Sequence, residues 1–115
     1  MKNFPGFKKS LAMMRDRDPQ IQEEGFQLLR PRAGEFVDEF IAEYLQEEDH
    51  GLQCWFLELI GEAQRPESLD FLASQIHSTD ERIRFWAMWG LKKLDTKESR
   101  TRLWEVRSRD SNHGI

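Results

Sequence analysis

Apolar residues recur along this 115-residue chain at intervals of three and four, the spacing that gathers them on one side of an α-helix. Ile21, Leu28 and Leu29 form one set; Leu52, Phe56, Leu59, Ile60 and Ala63 form a second; Ile83, Ala87, Leu91 and Leu94 form a third. Further sets follow each of these. They are Phe36, Val37, Phe40, Ile41, Tyr44 and Leu45; Leu69, Leu72, Ala73 and Ile76; and Leu103 with Trp104 and Val106. Phe4, Phe7, Leu11 and Met14 make an amino-terminal set. Breakers part the helices within each pair: Pro31 and Gly34, Arg65-Pro66, and Asp95-Thr96. β-Branched residues are few, and no Asn-Gly or Asp-Gly turn separates alternating runs. The pattern predicts helices throughout and no sheet.

The pattern also repeats. Asp18, Asp49 and Asp80 are spaced 31 and 31 residues apart. An aliphatic residue stands three after each (Ile21, Leu52, Ile83) and another eleven after each (Leu29, Ile60, Leu91). Six after the second and third stands a tryptophan, Trp55 and Trp86, where the first copy has Glu24. Each aspartate is placed as an N-cap, its carboxylate accepting the unpaired amide hydrogens of a first helical turn. Pro19 sits at the favoured first helical position. One helix pair cannot bury its apolar stripe alone, whereas stacked pairs bury it between neighbours. The expected fold is all-α: an α-solenoid of three stacked helical hairpins with an N-terminal cap helix. It forms one domain over residues 1–109. Residues 110–115, which lack periodicity, are expected to be a flexible tail.

The third copy, Asp80-Glu81-Arg82-Ile83-Arg84-Phe85-Trp86-Ala87 with Leu91, resembles the short HEAT-like repeat of the PBS-lyase type. That repeat carries an aspartate, an aliphatic residue three later, an arginine next, an alanine three further and a leucine four beyond. The other copies depart from it, with Gln22 and Gln53 in place of the arginine and Gly25 and Phe56 in place of the alanine. The resemblance spans roughly residues 16–109. It implies first helices on the convex side of a solenoid, second helices on the concave side, and protein–protein binding as the usual role.

Composition narrows the function. Cys54 is the single cysteine, so no internal disulfide forms and a reducing, cytoplasmic setting is expected. No apolar run approaches a membrane span, and lysines rather than an apolar stretch follow Met1–Gly6, so no secretory signal is expected. Charge is segregated: net +3 over residues 1–32, −12 over 33–81 and +5 over 82–115. The C-terminal third interleaves basic residues with Trp86, Trp89 and Trp104, as a nucleic-acid surface would. A pI near 5.4 argues against nucleic acid as the partner.

Catalytic chemistry finds little to work with. His50, His77 and His113 are scattered without metal-ligand spacing, so no metal or other cofactor is expected. Cys54 has no histidine–asparagine or histidine–aspartate signature beside it, and a structural role is expected. Two surface features remain. Asp38, Glu39, Glu43 and Asp70 fall on second helices, where they would form an acidic strip that steers a basic protein. Phe85, Met88 and Trp89 form a second apolar stripe, about 60–100° round the helix from Ile83, Ala87 and Leu91. That stripe is either buried against the second copy and the last helix or exposed as a docking or homodimer surface. The expected function is a non-enzymatic protein-binding module, a small adaptor or stoichiometric inhibitor acting as a monomer or weak homodimer. An immunity-type inhibitor of a basic toxin is one concrete form. A lyase-like or nucleic-acid-binding protein is the alternative class.

Overall fold

The computed structural model describes residues 3–113, and side chains as far as residue 108. Seven α-helices follow one another: α1 (Phe7–Met14), α2 (Pro19–Leu29), α3 (Val37–Gln46), α4 (His50–Ala63), α5 (Leu69–Gln75), α6 (Glu81–Leu94) and α7 (Lys97–His113). No strand occurs among the described residues. The first helices α2, α4 and α6 adjoin through the Phe26–Trp55 stack and the α4–α6 contact, the second helices α3, α5 and α7 through Tyr44 against Phe71 and the α5–α7 contact, and α1 packs on α2. The stack measures 51 × 26 × 22 Å, and its radius of gyration of 15.1 Å exceeds the roughly 13 Å of a compact chain near this length. The expected solenoid is therefore observed.

The repeat is written in the backbone at each junction. Asp18, Asp49 and Asp80 are N-caps, accepting from the amides of Gln20, Leu52, and Arg82 with Ile83. The residue two before each aspartate accepts in turn from that aspartate's own amide: Asp16 at 2.8 Å, Glu47 at 3.0 Å and Ser78 at 3.1 Å. Gln53 donates to the Glu47 carbonyl at 2.7 Å, and Arg84 donates to the Ser78 carbonyl at 2.7 Å. An amide and a guanidinium thus do the same work at matching positions, which explains why Gln53 can replace the arginine. At the far ends of α4 and α6, Gln64 and Asp95 take left-handed conformations, with φ of 49° and 50°. Such a residue turns the chain out of a helix while its amide satisfies a last-turn carbonyl. Copy one differs, because Arg30–Glu35 continues as a 3-10 segment with Pro31 near its start. At the start of α7, Thr96 and Ser99 cap one another, each hydroxyl accepting from the other's amide.

The core runs the length of the stack. Phe40, Phe56, Leu57, Leu59, Ile60, Leu72, Ala87 and Leu91 are fully buried. Phe7 joins it from the cap helix, its ring 4.9 Å from Phe36 and 5.7 Å from Phe40. Tyr44 ties second helices together, donating its hydroxyl to Gln75 at 2.6 Å and meeting Phe71 edge-on. Phe26 and Leu57 are buried although they lie outside the single stripe read from the sequence. Inner helices have neighbours on more than one side, so more than one face is apolar. Conversely Leu45, read as part of a core stripe, is 68% exposed near the end of α3. α7 remains helical to His113, within the stretch expected as a tail; the side chains from 109 onward, and residues 114 and 115 altogether, lie outside the described residues.

Two glycines bring helices into direct backbone contact. A β-carbon on Gly25 would lie 2.6 Å from the Ser10 carbonyl oxygen and 2.8 Å from the Met14 amide. On Gly61 it would lie 2.7 Å from the Trp89 ring and 3.0 Å from the Gly90 α-carbon. At Gly34 the nearest atoms are 3.7 Å away. Overpacking costs about 1–3 kcal/mol, more than the roughly 1 kcal/mol alanine gains over glycine inside a helix. Thermal unfolding should therefore show lower Tm for Gly25→Ala and Gly61→Ala and little change for Gly34→Ala. A Gly61→Ala Tm at or above wild type would mean that α4 and α6 do not touch as described.

Candidate functional site

The second-helix row carries the expected acidic residues. Asp38 and Glu39 lie in the first turn of α3, Glu43 lies further along it, and Asp70 lies in the first turn of α5. All are solvent-facing to some degree, but the strip is not uncompensated. Arg15, from the turn after α1, pairs with Glu43 at 3.0 Å and also with Glu47. Arg102 on α7 reaches Asp70 at 3.8 Å. Arg65 pairs with Glu67 at 3.2 Å on the rim of a depression that Asp38 and Glu39 also line. Folding lays the basic terminal segments over the acidic middle of the chain. Asp38 and Glu39 keep no ion pair among the described residues.

The first-helix face carries aromatic rings. Phe85 is 59% exposed, whereas Met88 and Trp89 are half-buried. Met88 packs onto the core. Trp89 lies across Gly61, and the Lys93 ammonium stands 5.3 Å from its ring centre. Trp86, absent from the stripe read in the sequence, links the other two rings: it meets Phe85 at 5.2 Å and Trp89 at 5.3 Å, both edge-to-face. Those two separations lie within the range that favours aromatic pairs. Of the three residues in the stripe, Phe85 is thus mostly free and the others are mostly seated.

Beside this row lies a groove of about 350 Å³ between α4 and α6, with Gln22 of α2 at its edge. Trp55, Trp86, Glu58, Asp49 and Arg82 line it. Trp55 stacks on Phe26 at 4.9 Å, which anchors its indole to α2. Glu58 is half-buried, and burial pushes its carboxyl above the usual carboxylate range. Arg30 opposes that shift, while Glu62 and Glu23 add to it. Arg30 is itself engaged by Glu62 at 3.5 Å, and Lys93 holds the other Glu62 oxygen at 3.1 Å. The signal for this groove was in the sequence: two tryptophans at the same repeat position, with Glu58 one helical turn after the first.

The nearest approach to catalytic geometry is at the joint between the second and third repeats. His50 Nε2 lies 2.9 Å from Asp80 Oδ2 and 3.9 Å from Cys54 Sγ. A nucleophilic triad uses opposite ring nitrogens for the acid and the nucleophile; here one nitrogen faces both. Burial, with the Asp80 charge behind it, pushes the Cys54 thiol up, away from thiolate. Asp80 is held below its ordinary value, chiefly by the Ile83 amide and next by His50. The cluster clips the first turn of α4 to the cap of α6. Among the described residues no three histidine, cysteine or acidic side chains are grouped to hold a metal ion, and no helix is long and apolar enough to cross a membrane.

The sequence model of a family described as HEAT repeats matches residues 37–115, which cover α3 through α7 and more than half the chain. Comparisons with curated proteins and with solved structures found no match.

The two shifted carboxyls predict opposite pH effects. Asp80 has a depressed folded value, so its stabilisation is present above the unfolded value of about 3.9 and is lost as pH falls through the folded one. Asparagine caps equally well, so Asp80→Asn should lower Tm at neutral pH by loss of charge, with the gap closing in acid. Glu58 has a raised folded value, so its stabilisation is full below the unfolded value of about 4.3 and is lost as pH rises through the folded one. Glu58→Gln should raise Tm at neutral pH, again with the gap closing in acid. Thermal unfolding across pH 3–8 measures both, and the same sign for the two would refute the assignment.

Proposed function

The chain belongs to the HEAT-repeat family, and on that premise we propose that it is a protein-binding module that seats its partner on the first-helix face. The observation that carries the reading is the connected row of rings on α6, with Phe85 protruding, Trp86 edge-on against it and Trp89 edge-on against Trp86. Rigid, partly seated aromatics lose little entropy on binding and make good anchors. Their helix is fixed by close contact with α4, so the surface is preformed. Asp38 and Glu39, on the other layer, contribute long-range attraction for a basic partner and not contact. The partner is captured without chemistry, as by an adaptor or a stoichiometric inhibitor. An inhibitor of a basic toxin is the concrete form that suits this charge. A buried Cys54 suits the reducing cytoplasm.

Capture from lysate of the source cell, with tagged wild type and two variants, tests the reading. Phe85→Asp should lose a stoichiometric protein partner while keeping the wild-type Tm. Asp38→Lys with Glu39→Lys should keep that partner but bind it more slowly at low salt, with the difference vanishing at high salt. If the partner survives Phe85→Asp and is lost in the lysine double variant, the site lies on the second helices instead.

A further inference from the structure

The groove between α4 and α6 holds two indoles and a carboxylate that make no side-chain hydrogen bond among the described residues. Trp55 and Trp86 occupy equivalent positions 31 residues apart, and both line it. Glu58 also lines the groove, one turn beyond Trp55 on the same face of α4. No protein donor hydrogen-bonds to its carboxylate among the described residues, and Arg30, the cation that opposes its shift, is held by Glu62. Half-burying a carboxylate without a donor is costly, and the cost recurs at every folding event unless a ligand offsets it. The charged groups that line the groove, Asp49, Glu58 and Arg82, sum to net negative.

We propose that this groove receives an arginine side chain of the protein partner, its guanidinium between Trp55 and Trp86 with Glu58 as counter-ion. The inference rests on the reading that the first-helix face meets a protein, and it names the chemistry that face selects. Aromatic faces attract a cation through their ring quadrupoles. A guanidinium is planar, stacks on indoles and is more weakly hydrated than an ammonium, so a half-buried site favours arginine over lysine. Its forked donors match a carboxylate in two parallel hydrogen bonds. Arg82 stands exposed at the groove and repels a cation there. It therefore tunes affinity downward, and its removal separates a cation site from an anion site. The groove adjoins Phe85 through Trp86, so one segment of a partner can fill the groove and cover the exposed ring.

The test is a titration of the full chain with the blocked tripeptide Gly-Arg-Gly, followed by NMR of the four tryptophan indole N–H signals. The same peptide with citrulline, a neutral isostere of arginine, is the control. The arginine peptide should shift the Trp55 and Trp86 signals, with a Kd on the order of millimolar, and leave Trp104 unmoved. The citrulline peptide should shift none of them. Glu58→Gln should weaken binding by about tenfold or more, whereas Arg82→Ala should tighten it. Equal binding of the citrulline peptide, full binding by Glu58→Gln, weakened binding by Arg82→Ala, or no shift up to tens of millimolar would each overturn the proposal. Failure here with partner capture still lost in Phe85→Asp would leave the protein-binding reading standing. Loss of both readings would appear as capture unaffected by Phe85→Asp and no indole shift.

Discussion

The crossing of α4 and α6 at Gly61 and Gly90 is the contact on which the rest of this molecule depends. Each glycine stands where the other helix's backbone passes, with the Gly90 α-carbon 3.0 Å from where a Gly61 β-carbon would be. Close approach there seats Trp89 across Gly61 and packs Leu72 against Gly90. It also sets the spacing of the two first helices, and hence the width of the groove that Trp55 and Trp86 line. Dispersion forces fall steeply with distance, so a wider crossing would loosen the seam. The binding face is thus a consequence of core packing and needs no loop to form it.

Much of this was legible in the residues, for physical reasons. A helix must repeat its apolar stripe every three or four positions, and a solenoid must repeat its helix pair, so Asp18, Asp49 and Asp80 with their aliphatic followers were sufficient to place the caps and the stack. Chemistry done equally well by several residue types was not legible. Asp16, Glu47 and Ser78 accept the same hydrogen bond, and Gln53 and Arg84 donate the same one, yet no letters match. Leu45 shows the reverse error, since an apolar residue in register with a stripe can still overhang the edge of the stack.

The binding surface was half legible. Charge totals along the chain showed an acidic middle, but could not show that Arg15 and Arg102 fold back onto it. The aromatic stripe of α6 was visible as Phe85, Met88 and Trp89. Its division into a seated pair and an exposed ring depends on Gly61, which belongs to another helix. His50, Cys54 and Asp80 meet only because two repeats stack, and their geometry makes a clip between repeats. The two layers therefore divide the work: second helices carry charge that acts at a distance, and first helices carry the rings and groove that make contact.

Hydrogen–deuterium exchange of the chain free and with its captured partner bound tests that division most directly. New protection should concentrate on α4 and α6, around Trp55, Glu58 and Phe85 to Trp89, with α3 and α5 unchanged. Protection confined to α3 and α5, around Asp38, Glu39 and Asp70, would contradict it.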